Sequence, residues 1–178
     1  IRFHTPVTPA PARRRTDPPD LDDRQRDALG VVHDLVRGLH VGVVGAGGLG
    51  SPVTEQLVRM GVGELTLIDE DVLDTPSNVR RVFGSTTADL DASVPPPKVD
   101  VVGRHVDRLG LAAPITRVRA DVRRETAFRH LLDTDVVICG TDTHGSGAVI
   151  NELASTYMLP VIDVGVQAGA KRNGDLAA

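Results

Sequence analysis

A doubly wound α/β fold, with a mainly parallel sheet and helices on both faces, is the class this sequence predicts, and three observations carry it. Short runs rich in β-branched residues, at 41–44, 64–68, 115–119, 136–139 and 161–164, alternate with segments of helical periodicity, as repeated βα units do. The first run passes directly into Gly45-Ala46-Gly47-Gly48-Leu49-Gly50, a G-x-G-x-x-G turn between a strand and a helix. The second run ends at Asp69, 19 residues beyond Gly50, where a mononucleotide-binding unit places a ribose acid. The expected architecture is therefore Rossmann-like.

Composition bounds the rest. A chain of 178 residues with 40% apolar content buries one good core, which implies one domain. A net charge of −4 and the lack of a concentrated basic face argue against a nucleic-acid surface, and no apolar run approaches membrane-spanning length. The one cysteine, Cys139, excludes an internal disulfide within the chain and suits a reducing compartment. Residues 1–20 contain no apolar signal-peptide core, so the expected localisation is cytoplasmic. Lys98 and Lys171 are the only lysines among many arginines, a usage that fits a GC-rich genome and singles out Lys98.

In chain order, residues 1–20 hold five prolines and Arg13-Arg14-Arg15, which predicts a mobile arm or linker carrying a solvated charge run. Ala28, Leu29, Val32, Leu35, Val36 and Leu39 have helical spacing interrupted by Gly30, so one or two short helices precede the first strand. Val53, Leu57 and Met60 stripe the helix after the glycine turn, Pro52 suits its first turn, and Gly61-Val62-Gly63 closes it. Residues 77–81 suit a short helix and 88–97, with three consecutive prolines, a flexible loop. Val99, Val102, Val106 and Leu109 then make a helical stripe that starts at Lys98. After the third strand, residues 127–132 form a helix, and after the fourth, Val149, Ile150, Leu153, Ala154, Tyr157 and Met158 stripe another that Pro160 ends. The domain expected over 21–178 is truncated at its C-terminus, since Lys171 to Ala178 bring no capping element.

The chemistry lies at the carboxyl ends of the strands. Gly45 and Gly47 allow a tight turn and close approach of the backbone to phosphate, and the helix starting near Gly48 directs free N–H groups there. With Asp69, these features accommodate a nicotinamide or flavin dinucleotide as readily as a mononucleotide. Arg81 and Lys98 lie beyond the ribose acid, and two cations there fit a triphosphate better. Asp142, directly after the fourth strand, is placed to hold Mg²⁺ through one carboxylate, with water completing the octahedron.

Five segments also resemble a known family. Val43-Val44-Gly-Ala-Gly-Gly-Leu-Gly-Ser51, Leu67-Ile-Asp-Glu-Asp71, Ser77-Asn-Val-Arg-Arg81, Pro97-Lys-Val99 and Gly140-Thr-Asp142 stand in the order and approximate spacing of the ThiF/MoeB/HesA superfamily, bacterial relatives of ubiquitin-activating enzymes. Arg24-Gln25, followed by Ala28-Leu29-Gly30, resembles the family's arginine-glutamine helix, and the likeness runs from about residue 22 to 170. It implies an adenylation domain over 21–178, in which the C-terminal carboxylate of a ubiquitin-like or sulfur-carrier protein, or of a peptide, attacks the α-phosphate of ATP and pyrophosphate leaves. By the same resemblance Gly45, Gly47, Gly48, Asp69 and Asp71 adjoin the nucleotide, and Asn78, Arg81 and Lys98 contact phosphates. Asp142 would bind Mg²⁺, and Arg24 would reach ATP from the other subunit of a homodimer.

Three departures keep a second class open, that of a catalytically silent partner subunit that binds a carrier or a catalytic subunit. The family's glutamine after the arginine is Val82 here, Gly147 stands where an arginine is common, and the downstream cysteine of thiol-transferring members has no counterpart. A third class, an NAD- or FAD-binding oxidoreductase, rests only on the glycine turn and Asp69. Cys139 sits in an apolar run and reads as a buried small hydrophobe. His144 suits the start of a helix as well as an acid–base role, and Arg24 alone reads equally as a solvated helix charge.

Overall fold

The computed structural model describes residues 21–141 and 144–165; the arm over 1–20, Asp142 and residues 166–178 lie outside the described residues. Two short helices, α1 (Asp23–Leu29) and α2 (Val31–Gly38), flank Gly30, whose φ of +53° suits glycine. They lead into β1 (His40–Val44), α3 (Gly50–Arg59), β2 (Glu64–Ile68) and a single turn, α4 (Pro76–Val79). Then follow α5 (Lys98–Leu109), β3 (Ile115–Val118), α6 (Glu125–Phe128), β4 (Val136–Cys139), α7 (His144–Tyr157) and β5 (Val161–Asp163).

The five strands form one parallel sheet in the order β3-β2-β1-β4-β5. The chain moves outward from β1 to β3 and then returns to the other side of β1, so the order reverses between β1 and β4. Ligands of open α/β sheets bind at the carboxyl edge beside such a reversal. Alternation along the strands sends side chains to two cores. Val41, Val43, Leu65 and Leu67 pack with Val58 of α3 and with Val99, Val102 and Val106 of α5. Val44, Ile68, Val137 and Cys139 pack with Ala127, Leu131, Ile150 and Leu153 on the opposite face. Cys139 is a buried free thiol, as its apolar surroundings implied. No helix among the described residues is long and apolar enough to cross a membrane.

Differences from the sequence reading are local. The segment read as a loop over 88–97 contains the end of a 3₁₀ turn, Thr87–Asp89, closed by reciprocal bonds between Thr86 and Asp89. Its far end is pinned, because Leu73 N–H donates to Pro96 O at 2.8 Å and Val72 bridges Pro97. The helix expected over 127–132 is α6 continued by a 3₁₀ turn, Arg129–Leu131, and α7 starts five residues before its apolar stripe.

Candidate nucleotide site

The glycine turn is fixed by contacts that exclude side chains. Gly45 has φ +97°, and a Cβ there would lie 3.0 Å from Gly140 O at the exit of β4. A Cβ on Gly50 would lie 1.7 Å from Gly45 O, so the first residue of α3 rests directly on the turn that leaves β1. This presses the exits of β1 and β4 and the start of α3 into one place. By contrast, a Cβ on Gly47 would meet nothing within 4 Å, so that side of the turn faces open space. The positive end of α3 and its early N–H groups belong to this corner.

Asp69 stands beside the turn. Its Oδ2 accepts from Ala46 N–H at 2.6 Å and its Oδ1 from Asp71 N–H at 2.8 Å, each oxygen keeping further acceptor capacity. Burial raises the pKa of this carboxyl, while the two backbone bonds and the Lys98 charge act in the other direction.

Beyond Asp69 opens a cavity of about 450 Å³, lined by Glu70, Asp71, Val72, Asp74, Asn78, Arg81, Lys98 and Arg119. That size suits a mononucleotide-sized ligand. Lys98 opens α5 and its Nζ is 2.6 Å from Asp71 Oδ2, while its backbone N–H donates to Asp71 O at 3.0 Å. An ammonium carries three donors, so this pair does not exhaust the hydrogen-bonding capacity of Lys98. Arg81 Nη2 donates to Asn78 Oδ1 at 3.1 Å, which makes the buried Asn78 a holder of the guanidinium. The aliphatic part of Arg81 lies over Gly48, whose added Cβ would be 3.5 Å from Arg81 Cβ.

Thus Arg81, Lys98, Asn78 and Asp71 line one cavity, adjoining Asp69 and the glycine turn. Arg24 lies elsewhere. It is exposed on α1, and its neighbour Gln25 donates to Arg59 O at 2.7 Å, at the C-terminal end of α3. The glycine turn lies at the other end of that helix, about 15 Å away along its axis. Asp142 falls outside the described residues, two positions after Gly140, the residue that touches the glycine turn. Among the described residues no cluster of three or more His, Cys, Asp or Glu suits a metal ion.

Two participants escaped the sequence reading. Ser51, fully buried, donates from Oγ to Gly47 O at 2.6 Å and accepts from Phe83 N–H at 3.0 Å, stitching the glycine turn to the turn that follows Arg81. Arg119 follows β3 immediately and lines the cavity. Its position one residue past a strand that pairs with β2 was a usable signal, given the strand order.

The model of the ThiF family matches residues 27–172. The chain is 32% identical over 135 residues to the adenylyltransferase and sulfurtransferase UBA4 of Meyerozyma guilliermondii, an alignment covering 76% of this chain and 30% of that protein. It is 30% identical over 120 residues to the SAMP-activating enzyme E1 of Haloferax volcanii, covering 67% and 43%. It is 27% identical over 120 residues to the sulfur carrier protein ThiS adenylyltransferase of Bacillus subtilis, covering 67% and 35%. The chain spans less than half the length of these relatives. Among solved structures, E. coli tRNA N6-threonylcarbamoyladenosine dehydratase, TcdA, matches with a TM-score of 0.71 at 23% identity, covering 85% of this chain and 62% of that one. The same enzyme in complex with ATP matches with a TM-score of 0.70 at 24% identity, covering 84% and 60%, which establishes the shared fold.

Proposed function

The chain belongs to the ThiF family, and from that premise we propose that it is the adenylation part of an ATP-dependent activating enzyme. Its substrate would be the C-terminal carboxylate of a ubiquitin-like or sulfur-carrier protein, or of a peptide. The observation that carries this reading is the joining of the glycine turn and Asp69 to a cavity lined by Arg81 and Lys98. Arg81 lies over Gly48 of the glycine turn and shares its cavity with Lys98, and a triphosphate brings more charge to that side than a dinucleotide's pyrophosphate, so these cations favour ATP over NAD or FAD.

In this reading the N–H groups at Gly47, Gly48 and the start of α3 approach the phosphates, and Asp69 accepts bonds from ribose hydroxyls. A carboxylate oxygen attacks the α-phosphorus, the bond to the bridging oxygen breaks, and pyrophosphate departs with its electron pair. Lys98 and Arg81, the latter steadied by Asn78, stabilise charge on the departing pyrophosphate. Asp71 keeps Lys98 in place until the phosphates arrive.

Mg²⁺ bound with ATP would supply Lewis-acid neutralisation of the phosphate oxygens. One carboxylate suffices for such a role, since Mg²⁺ commonly combines one with phosphates and water, and in the sequence Asp142 stands two positions after Gly140, which touches the glycine turn. Arg24 would serve a neighbouring subunit, which accords with its distance from the cavity of its own chain. A homodimer and a reducing, cytoplasmic compartment complete the proposal.

The test is substrate-dependent exchange of labelled pyrophosphate into ATP. Lys98→Ala should lower the exchange rate about 100-fold or more, the scale of losing one preorganised charge-stabilising group. Undiminished exchange in that variant would sink the assignment of Lys98. A second reading, the silent partner subunit, is favoured by Val82, which is 3% exposed in the core and gives the cavity no polar group. ATP binding without exchange, across a panel of carrier proteins, would select it.

A further inference from the structure

The sheet order distributes a nucleotide along its carboxyl edge. The glycine turn leaves β1, Asp69 ends β2, and Arg119 ends β3, the strand on the far side of β2. Phosphates belong to the first exit and ribose to the second, so the third meets what lies beyond the ribose, the base. Arg119 is exposed, lines the cavity, and makes no hydrogen bond or ion pair among the described residues. Arg81 and Lys98, by comparison, already have side-chain partners.

Charge distinguishes the two ends, since Asp71 is paired with Lys98 whereas Asp69 and Glu70 have no ion pair among the described residues. Asp69, Glu70 and Asp71 follow one another at the exit of β2, which pairs with β3 through Ile68 and Val118. A phosphate beside Arg119 would be repelled by the carboxylates of Asp69 and Glu70, whereas a neutral heterocycle would not. A guanidinium is planar and stacks on aromatic faces, a contact open to an arginine with no other partner.

We propose that Arg119 stacks its guanidinium on the nucleobase of the bound nucleotide and is a positioning residue for it. This deepens the ATP reading above and rests on it. Stacking tolerates any base, so the site would hold ATP and GTP with similar strength through this contact, leaving discrimination to other groups.

The experiment is calorimetric titration of the whole chain with ATP and with inorganic tripolyphosphate, for the wild type and Arg119→Ala, Arg119→Lys and Arg119→Tyr. Arg119→Ala should weaken ATP about tenfold, within the range of a desolvated cation–π contact, and leave tripolyphosphate unchanged. Arg119→Tyr, which stacks without charge, should keep most of the ATP affinity, and Arg119→Lys should restore only part of it. Lys98→Ala should weaken both ligands, which calibrates the phosphate end. Equal loss of tripolyphosphate and ATP in Arg119→Ala, or full rescue by lysine, would make Arg119 a phosphate cation and overturn the proposal. Unchanged ATP affinity in a folded Arg119→Ala also overturns it, leaving the ATP reading intact. No binding of ATP by the wild type overturns the ATP reading and this assignment together.

Discussion

At the scale of single residues, Asp69 shapes the fold and, in the ATP reading, would also serve the ligand. Its carboxylate accepts the Ala46 and Asp71 N–H groups, which shapes the turn before any nucleotide arrives. Because burial raises its pKa, the folded protein holds a proton there more tightly than the unfolded chain. The stability it contributes is therefore full at low pH and is lost as pH rises through the folded value. Urea unfolding of wild type and Asp69→Asn at pH 3 and pH 7 checks this: the wild type should lose stability relative to the variant as pH rises. ATP affinity should fall in Asp69→Asn at neutral pH, since an amide offers one acceptor oxygen in place of two. The place of Asp69 beside the glycine turn was legible from its distance to Gly50, and the pairing of Asp71 with Lys98 was not. Those two residues are 27 positions apart and meet only because residues 72 and 97 bridge.

At the scale of elements, the strand–turn–helix unit carries two glycine positions with opposite tolerance. Gly50→Ala puts a methyl 1.7 Å from the backbone oxygen of Gly45, which cannot swing aside, and should cost about 3 kcal/mol or more, or prevent folding. Gly47→Ala meets open space, so its thermal midpoint should stay near that of the wild type while ATP affinity drops, because in the ATP reading the methyl would stand where phosphate approaches. Thermal melts with calorimetric titration separate the two; equal destabilisation would remove the distinction between a packing glycine and a ligand-facing one. The period and placement of β1, α3, β2 and α5 were readable because each has a buried apolar face of regular spacing. The bond from Ser51 Oγ to Gly47 O and its acceptance of Phe83 N–H were not, since a buried serine early in a helix has no distinguishing pattern. Arg119 needed the strand order before its place at the edge meant anything.

At the scale of the whole molecule, the cavity and Arg24 lie toward opposite ends of α3, so the proposed role of Arg24 would require a second chain. In a two-fold dimer the missing arginine would come from the partner. Mixing inactive Arg24→Ala with inactive Lys98→Ala should then restore pyrophosphate exchange to about a quarter of wild type, because half the dimers would be mixed and each would hold one intact site. No recovery on mixing would place Arg24 outside the reaction. Alternating strands and helices announced the α/β class, and the sheet order sets the cavity between the exits of β2 and β3.

The bond between Lys98 and Asp71 also governs how the molecule changes when a ligand enters. A lone surface ammonium must shed its water for each incoming anion, whereas this one has already exchanged part of its hydration for a carboxylate during folding. In the ATP reading, arrival of a phosphate would then be a swap of one anion for another at a cation already held in place. Dissolved ions weaken the old partnership and the new one alike, so the two effects largely offset each other at this contact.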